Sequence, residues 1–255
     1  MGSTIGSGAG EVASGGLNSN IAIDKMENVY VSDTRNPKVQ IFNSEGKFIN
    51  SFRIPFGIDS IAVNSLGEVY VAVNSTKNIP LVYVFSKDGK LIRSIGERIV
   101  TSIGRLSQEV NRTAITIDNQ DNLLVVFRHW PLIRKYSQSG KLLEETNFKV
   151  PSDLISEAQI KTYSLNFINQ HPNTSYTLPL LSHSITTTTE KGMVLLNGHG
   201  FVKFDSKSKV VSQAFFRKGN IPDDALIIKL VLGSNSSESY LLDIKSGNIY
   251  KANGL

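Results

Sequence analysis

The chain's only tryptophan stands in the tetrapeptide RHWP, Arg128 to Pro131, with a guanidinium and an imidazole directly before it. An amphipathic ring beside such groups can stack on a sugar or a base. Equally, Trp130 can fold over the edge of its own sheet with its N–H bonded to backbone. The chain has four histidines, His129, His171, His183 and His199. Three converging imidazoles could hold a hydrolase- or lyase-type metal. No two of them share a short spacing and no acidic residue is tied to them. No metal and no cofactor are therefore expected, and the histidines read as solvated or capping loop residues. Cysteine is absent, which excludes disulfides, thiolate–metal sites and cysteine nucleophiles together. The glycine-rich stretch GSGAGEVASGG lacks the Lys-Ser/Thr ending and the following helix of a phosphate loop. No GxSxG elbow occurs either. No catalytic residue is assigned.

The formal net charge is +5, which reads as a mildly basic surface. Arg93, Arg98, Arg105 and Arg112 form a spaced series, but Ile, Ser and Gly surround them. An RNA-binding surface interleaves such a stripe with aromatics, so nucleic acid is not the expected partner. No apolar stretch reaches the roughly 18 residues of a membrane span. The opening, MGSTIGSGAGEVASGGLNSN, has neither the basic nor the apolar region of a signal peptide and is compatible with a short added leader. A cysteine-free chain of this kind suits an extracytoplasmic bacterial setting, periplasmic or at the cell surface. N-x-S/T sequons at Asn74, Asn111, Asn173 and Asn235 matter only in a eukaryotic secretory setting.

What must position these residues is a repeat. VQIFNSEGKFINSF from Val39 returns as VYVFSKDGKLIRSI from Val82, IRKYSQSGKLLEET from Ile133 and FVKFDSKSKVVSQAF from Phe201. Each copy has a strand ending in an aromatic, a polar turn, a lysine and a second alternating strand. Gly46, Gly89 and Gly140 supply the positive φ that a tight hairpin needs; Ser208 stands at that place in the fourth copy. A second hairpin precedes each: IAIDKMENVYVSD from Ile21, IAVNSLGEVYVAV from Ile61 and ITIDNQDNLLVVF from Ile115. Its weaker relatives are ITTTTEKGMVLLN from Ile185 and IKLVLGSNSSESYLLD from Ile228. Short Val/Ile/Tyr-rich runs split by Asn/Asp/Gly turns are strands and hairpins. Each unit is thus four antiparallel strands, A to D. One unit cannot bury both faces of its sheet, whereas radial stacking of several does. The expected fold is an all-β, single-domain β-propeller over residues 1–255, of five four-stranded blades.

The first unit, IAIDKMENVYVSDTRNPKVQIFNSEGKFINSF, resembles an NHL repeat, and the glycine-rich leader resembles the segment that often precedes bacterial NHL units. The likeness spans roughly the first 150 residues. NHL propellers usually have six blades, and the resemblance implies the fold far more than any function. Asp33 keeps the family's Asp after strand B, while Val73 and Phe127–Arg128 depart from it.

Between the third and fourth units, residues 151–183 read as an insertion, with a short helix over 152–169 capped by Ser152. The final unit stops at strand C, NIYKAN. Its missing edge is expected to be filled by Ser3 to Gly8 of the N-terminus, pairing with Ile249 to Asn253.

In such a ring the B–C loops and D–A connections open at one end of the channel, and the A–B and C–D turns at the other. The C–D turns are alike; the B–C loops differ, which is how recognition is grafted onto a repeated scaffold. The candidate ligand-binding residues are therefore Asp33, Arg35, Asn74, Arg128, His129, Trp130, Asn197, His199, Asp243 and Lys245. Asp24, Asp33 and Asp118 are also expected to bond their own turns. The leading expectation is a monomeric, non-enzymatic binding module for a protein, glycan or small-molecule ligand. The alternatives are a lyase or hydrolase using His129 and His199, and an RNA-binding domain using the arginine series.

Overall fold

The first 130 or so residues of the described chain repeat one hairpin pair three times, and the backbone follows the sequence pattern closely. The computed structural model describes residues 20–148 and 169–170, together with seven strand segments lying between residues 182 and 253. Blade one comprises β1 (Ile21–Ile23), β2 (Val29–Asp33), β3 (Lys38–Phe42) and β4 (Phe48–Arg53). Blade two comprises β5 (Gly57–Val63), β6 (Val69–Asn74), β7 (Val82–Phe85) and β8 (Leu91–Ile95). A seven-residue helix, α1 (Gly104–Val110), leads into blade three: β9 (Thr113–Ile117), β10 (Leu123–Phe127), β11 (Leu132–Tyr136) and β12 (Leu142–Asn147). Blade four is β13 (Ser182–Thr187), β14 (Lys191–Leu196), β15 (Gly200–Asp205) and β16 (Val210–Phe215). The last sheet has three strands, β17 (Ile227–Leu232), β18 (Glu238–Asp243) and β19 (Ile249–Asn253).

Every sheet pairs its strands in chain order, antiparallel throughout. The inner strands β1, β5, β9, β13 and β17 are successive neighbours about the axis. The three C–D turns share one geometry. Gly46, Gly89 and Gly140 each donate to the residue three back, Asn43, Ser86 and Ser137, at φ of 79°, 78° and 90°. The A–B turns use Glu27, Gly67 and Asp121 at the same left-handed position, with φ of 62°, 77° and 60°.

Two apolar clusters fill the gaps between blades, and β6 shows how. Val69, Val71 and Val73 point into the cluster shared with Tyr30, Val39, Ile41 and Phe52 of blade one. Tyr70 and Ala72 point the other way, against Ile115, Leu123, Val125 and Phe127 of blade three. Both faces of the sheet are buried, so the strand is apolar at five successive positions, Val69 to Val73, rather than at alternate ones.

Two sequence expectations on architecture fall outside the described residues: the N-terminal closing strand, Ser3 to Gly8, and most of the insertion over 151–183. Of the insertion, Asn169 and Gln170 are described and helical, Asn169 accepts a hydrogen bond from Ser102 N–H at 2.9 Å, and Ser182 and His183 already belong to strand β13 and not to a loop. Helix α1 was not expected at all. Among the described residues no helix is long and apolar enough to cross a membrane.

Candidate functional site

At one end of the stack, side chains tie blade to blade. Asp24, in the A–B turn of blade one, accepts from the backbone N–H of Met26 and Asn28, the Asn28 side chain and Tyr30 Oη. Lys87, from the C–D turn of blade two, completes the set at 3.1 Å. Burial works against the Asp24 charge, but the Asn28, Lys87 and Tyr30 bonds outweigh it and hold the carboxyl at about 2. Asp118 has the same turn bonds in blade three, accepting from Gln120 and Asn122 N–H, but its lysine, Lys135 at 2.9 Å, comes from β11 of the same blade. Asp121 reaches across to Ser65 of blade two. The expected local role of Asp24 and Asp118 is what the structure shows. Asp33 does the same at the opposite end, accepting from Arg35 and Asn36 N–H.

That opposite end, where the B–C loops and D–A connections emerge, holds a different kind of cluster. It is centred on Asp59, which is 2% exposed and stands where β5 slips register against β6, between Ile58 and Ser60. A β-bulge re-aims a side chain out of the ladder. The Asp59 carboxylate accepts from Arg112 Nε at 3.4 Å and from Thr113 N–H at 3.3 Å, both long for charged bonds. Its carbonyl accepts from Asn20 Nδ2 at 3.0 Å and from Arg128 Nη2 at 3.2 Å. Residues of three blades thus meet at one aspartate. Burial pushes the Asp59 carboxyl up, and the opposing pull of Arg112 and Arg128 does not restore it. Arg128, 8% exposed, is pushed down by burial and by its neighbour Arg112, against the pull of Asp59.

Helix α1 sets the partners of this cluster. Asn111 is buried at its C-terminus, accepting from Ile99 N–H and donating to the carbonyls of Ile99 and Ser107. The next residue is Arg112, whose direction is thereby fixed. Glu109, on the last turn of the helix, lies 3.5 Å from His129 Nε2. Gln108 donates to Asn74 Oδ1 at 2.8 Å. The sequon at Asn111 is therefore spent inside the fold.

Of the sequence-derived candidates, Asn74, Arg128 and His129 gather around α1. One expectation needs correction. Arg128 and His129 are not loop-surface residues but 8% and 7% exposed. Trp130, open to either a stacking or a folded-over reading, is partly buried against the apolar cluster between blades two and three. Arg35 stands exposed in its loop. Asn197, His199 and Lys245 lie outside the described residues, and Asp243 is placed only as the last residue of β18.

The arginine series is not assembled as a stripe. Arg93 makes a two-pronged pair with Glu68, at 2.8 and 2.6 Å, and donates to Tyr70 Oη. Arg98 is capped by the carbonyls of Val73, Ser75 and Ile79, and Arg112 faces Asp59. Among the described residues no group of three or more His, Asp or Glu is placed to hold a metal ion. Sequence reasoning missed Asp59, Glu109 and Thr113. The one legible signal was an acidic residue inside the apolar run GIDSIAV.

Four-stranded sheets stacked about an axis, inner strands adjacent and apolar layers between them, define a β-propeller. Solved structures with this fold superpose on the chain. One is a protein of unknown function from Bacteroides caccae, 13% identical, with a TM-score of 0.58 over 92% of this chain and 77% of that one. Virginiamycin B lyase from Staphylococcus aureus is 11% identical, with a TM-score of 0.55 over 95% and 72%. Glutaminyl cyclase from Myxococcus xanthus is 9% identical, with a TM-score of 0.54 over 94% and 91%. Identities this low show a common fold and no more. No family model matches the chain, and no curated protein does.

Proposed function

We propose that the chain is a recognition module, a non-enzymatic propeller of NHL-like ancestry, which receives its ligand at the B–C loop end above blades two and three. The observation that carries this reading is an asymmetry between the two ends. At the A–B/C–D end the described carboxylates Asp24 and Asp118 are closed by short bonds and a lysine each. One donor at that end, Arg93 Nε, is buried without a partner, but the two terminal nitrogens of Arg93 are held by Glu68 and Tyr70. At the other end, among the described residues, the only side-chain bond of Arg112 runs through Nε, and Arg128 Nε and Thr113 Oγ1 are both buried without a partner. Buried polar groups are nearly always satisfied, so a concentration of such exceptions points to function.

A second reading places a lyase or hydrolase at the same mouth. It is favoured by the buried His129 beside Glu109, an imidazole–carboxylate pair of the kind that orients a general base. As part of the proposal, the protein acts as a monomer in an extracytoplasmic compartment, with a protein, glycan or small molecule as its partner.

The test is a thermal-shift screen of small-molecule and glycan libraries, followed by mapping of each hit. Arg35→Ala and Asn74→Ala should weaken binding, whereas Lys47→Ala and Lys90→Ala, in the C–D turns, should leave it intact. Equal losses at both ends would remove the assignment. Turnover of a hit, abolished in His129→Ala, would put the enzyme reading first.

A further inference from the structure

Two guanidiniums and one carboxylate do not balance. Arg112 Nε lies 3.4 Å from the Asp59 carboxylate and Arg128 Nη2 lies 3.2 Å from the Asp59 carbonyl, and the two guanidiniums are close enough to repel each other. Among the described residues, two positive charges thus face the one buried carboxylate of this cluster. Arg98 also feels Asp59, but its nitrogens are occupied by three backbone carbonyls. Of the other carboxylates described at this end, Glu109 faces His129 with its side chain 41% exposed, and Asp33 accepts from its own loop at Arg35 and Asn36 N–H. An unbalanced charge in a low-dielectric setting is costly unless an anion or water meets it.

The donors left over have a definite form. The Arg112 side chain is 24% exposed, and among the described residues its terminal nitrogens make no hydrogen bond, so its fork of donors remains. Behind it, Nε of Arg128 is buried without a partner, although the side chain donates through Nη2 to the Asp59 carbonyl. A planar fork of N–H groups matches the two oxygens of a carboxylate and binds it with two parallel bonds. A monoanion also restores neutrality, whereas a dianion would overshoot it.

We propose that Arg112, backed by Arg128, is the binding site for a carboxylate group of the ligand at the mouth of the channel between blades two and three, with Asp59 as an internal competitor that holds both arginines in place when no ligand is there. This rests on the reading that ligand enters at the B–C loop end. It adds the ligand's chemistry: a small organic acid or an acidic sugar rather than a neutral one. Asp59 then resembles a built-in surrogate. Its bonds to Arg112 and Thr113 are long, and the one to Arg112 runs through Nε, so a ligand carboxylate on the terminal fork would add a two-pronged pairing that Asp59 opposes through its charge.

The experiment is calorimetric titration of the full chain with lactate, glucuronate, glucose and phosphate, at ionic strength held constant with chloride. Lactate and glucuronate should bind, glucose should not, and phosphate should be weaker than either carboxylate. Arg112→Gln should weaken glucuronate by about tenfold or more, the usual worth of a charged hydrogen-bond pair. Arg112→Lys, which keeps the charge and loses the fork, should fall between. Asp59→Asn should act in the opposite direction and tighten glucuronate severalfold, because the competitor is gone. A merely structural cluster would give no such opposed pair, since both changes would then lower stability alone. If Asp59→Asn does not fold, the Arg112 pair carries the test.

Equal response to glucose and glucuronate, or undiminished binding in Arg112→Gln, overturns the proposal. So does phosphate binding without carboxylate binding. A neutral ligand lost in Asn74→Ala would overturn this inference and leave the recognition face standing. Glucuronate binding abolished by Lys47→Ala would remove the face itself.

Discussion

Two aspartates, Asp24 and Asp59, show how one residue type takes opposite roles from its surroundings. Asp24 gathers two N–H groups of its own turn, an amide, a phenol and Lys87, and its carboxyl stands at about 2. An unfolded aspartate titrates near 3.9. A depressed folded value means that its contribution is full above about pH 4 and disappears as pH falls through about 2. Asp24→Asn should therefore cost about 1–2 kcal/mol near neutrality. The gap between wild type and variant should close as urea melts are repeated from pH 5 down to pH 2. A gap that does not change with pH would mean that the turn, and not the charge, is what stabilises. Asp59 has the reverse sign. Its folded carboxyl is raised, so folding favours the protonated form, and its ionisation weighs against stability above its folded value. A protein keeps such a group where something other than stability requires it.

At the scale of elements, the C–D turns offer a controlled comparison. Gly89 and Gly140 have similar left-handed φ, 78° and 90°. A Cβ at Gly89 would meet Phe52 Cβ at 2.3 Å, whereas at Gly140 the nearest atom is Ile95 Cγ1 at 3.2 Å. Gly140→Ala should then cost little beyond the backbone term, about 1 kcal/mol. Gly89→Ala should add overpacking of about 1–3 kcal/mol. Equal melting points for the two would show that the Phe52 contact yields freely. These hairpins were legible in the sequence because alternation, a turn glycine and a terminal aromatic recur together at Phe42, Phe85 and Tyr136. Helix α1 was not: seven residues with Leu106 and Val110 as its buried apolar pair give too little period to separate from loop. Nor was the Asp59 bulge legible, since a bulge adds one residue to a strand and the alternation resumes on the far side of it. The loop residues Arg128 and His129 were found but placed on the surface, because sequence gives loop length and not loop direction.

For the whole molecule, repetition and variation are divided between the two ends. Turns that recur carry inter-blade staples, Asp24 to Lys87 and Asp121 to Ser65, which fix each blade against the next. Loops that differ surround a charged cluster in which blades one, two and three meet, through Asn20, Asp59 and Arg112 with Thr113. Radial stacking leaves the two ends as the surfaces where loops can change without disturbing blade packing. The direct measurement is hydrogen–deuterium exchange of the full chain with and without saturating glucuronate. Exchange should slow in the segments around Asp59, Arg112–Thr113 and Arg128–Trp130, with the C–D turns at residues 43–47, 86–90 and 137–141 unchanged. Protection confined to those turns, or none at either end, would contradict it.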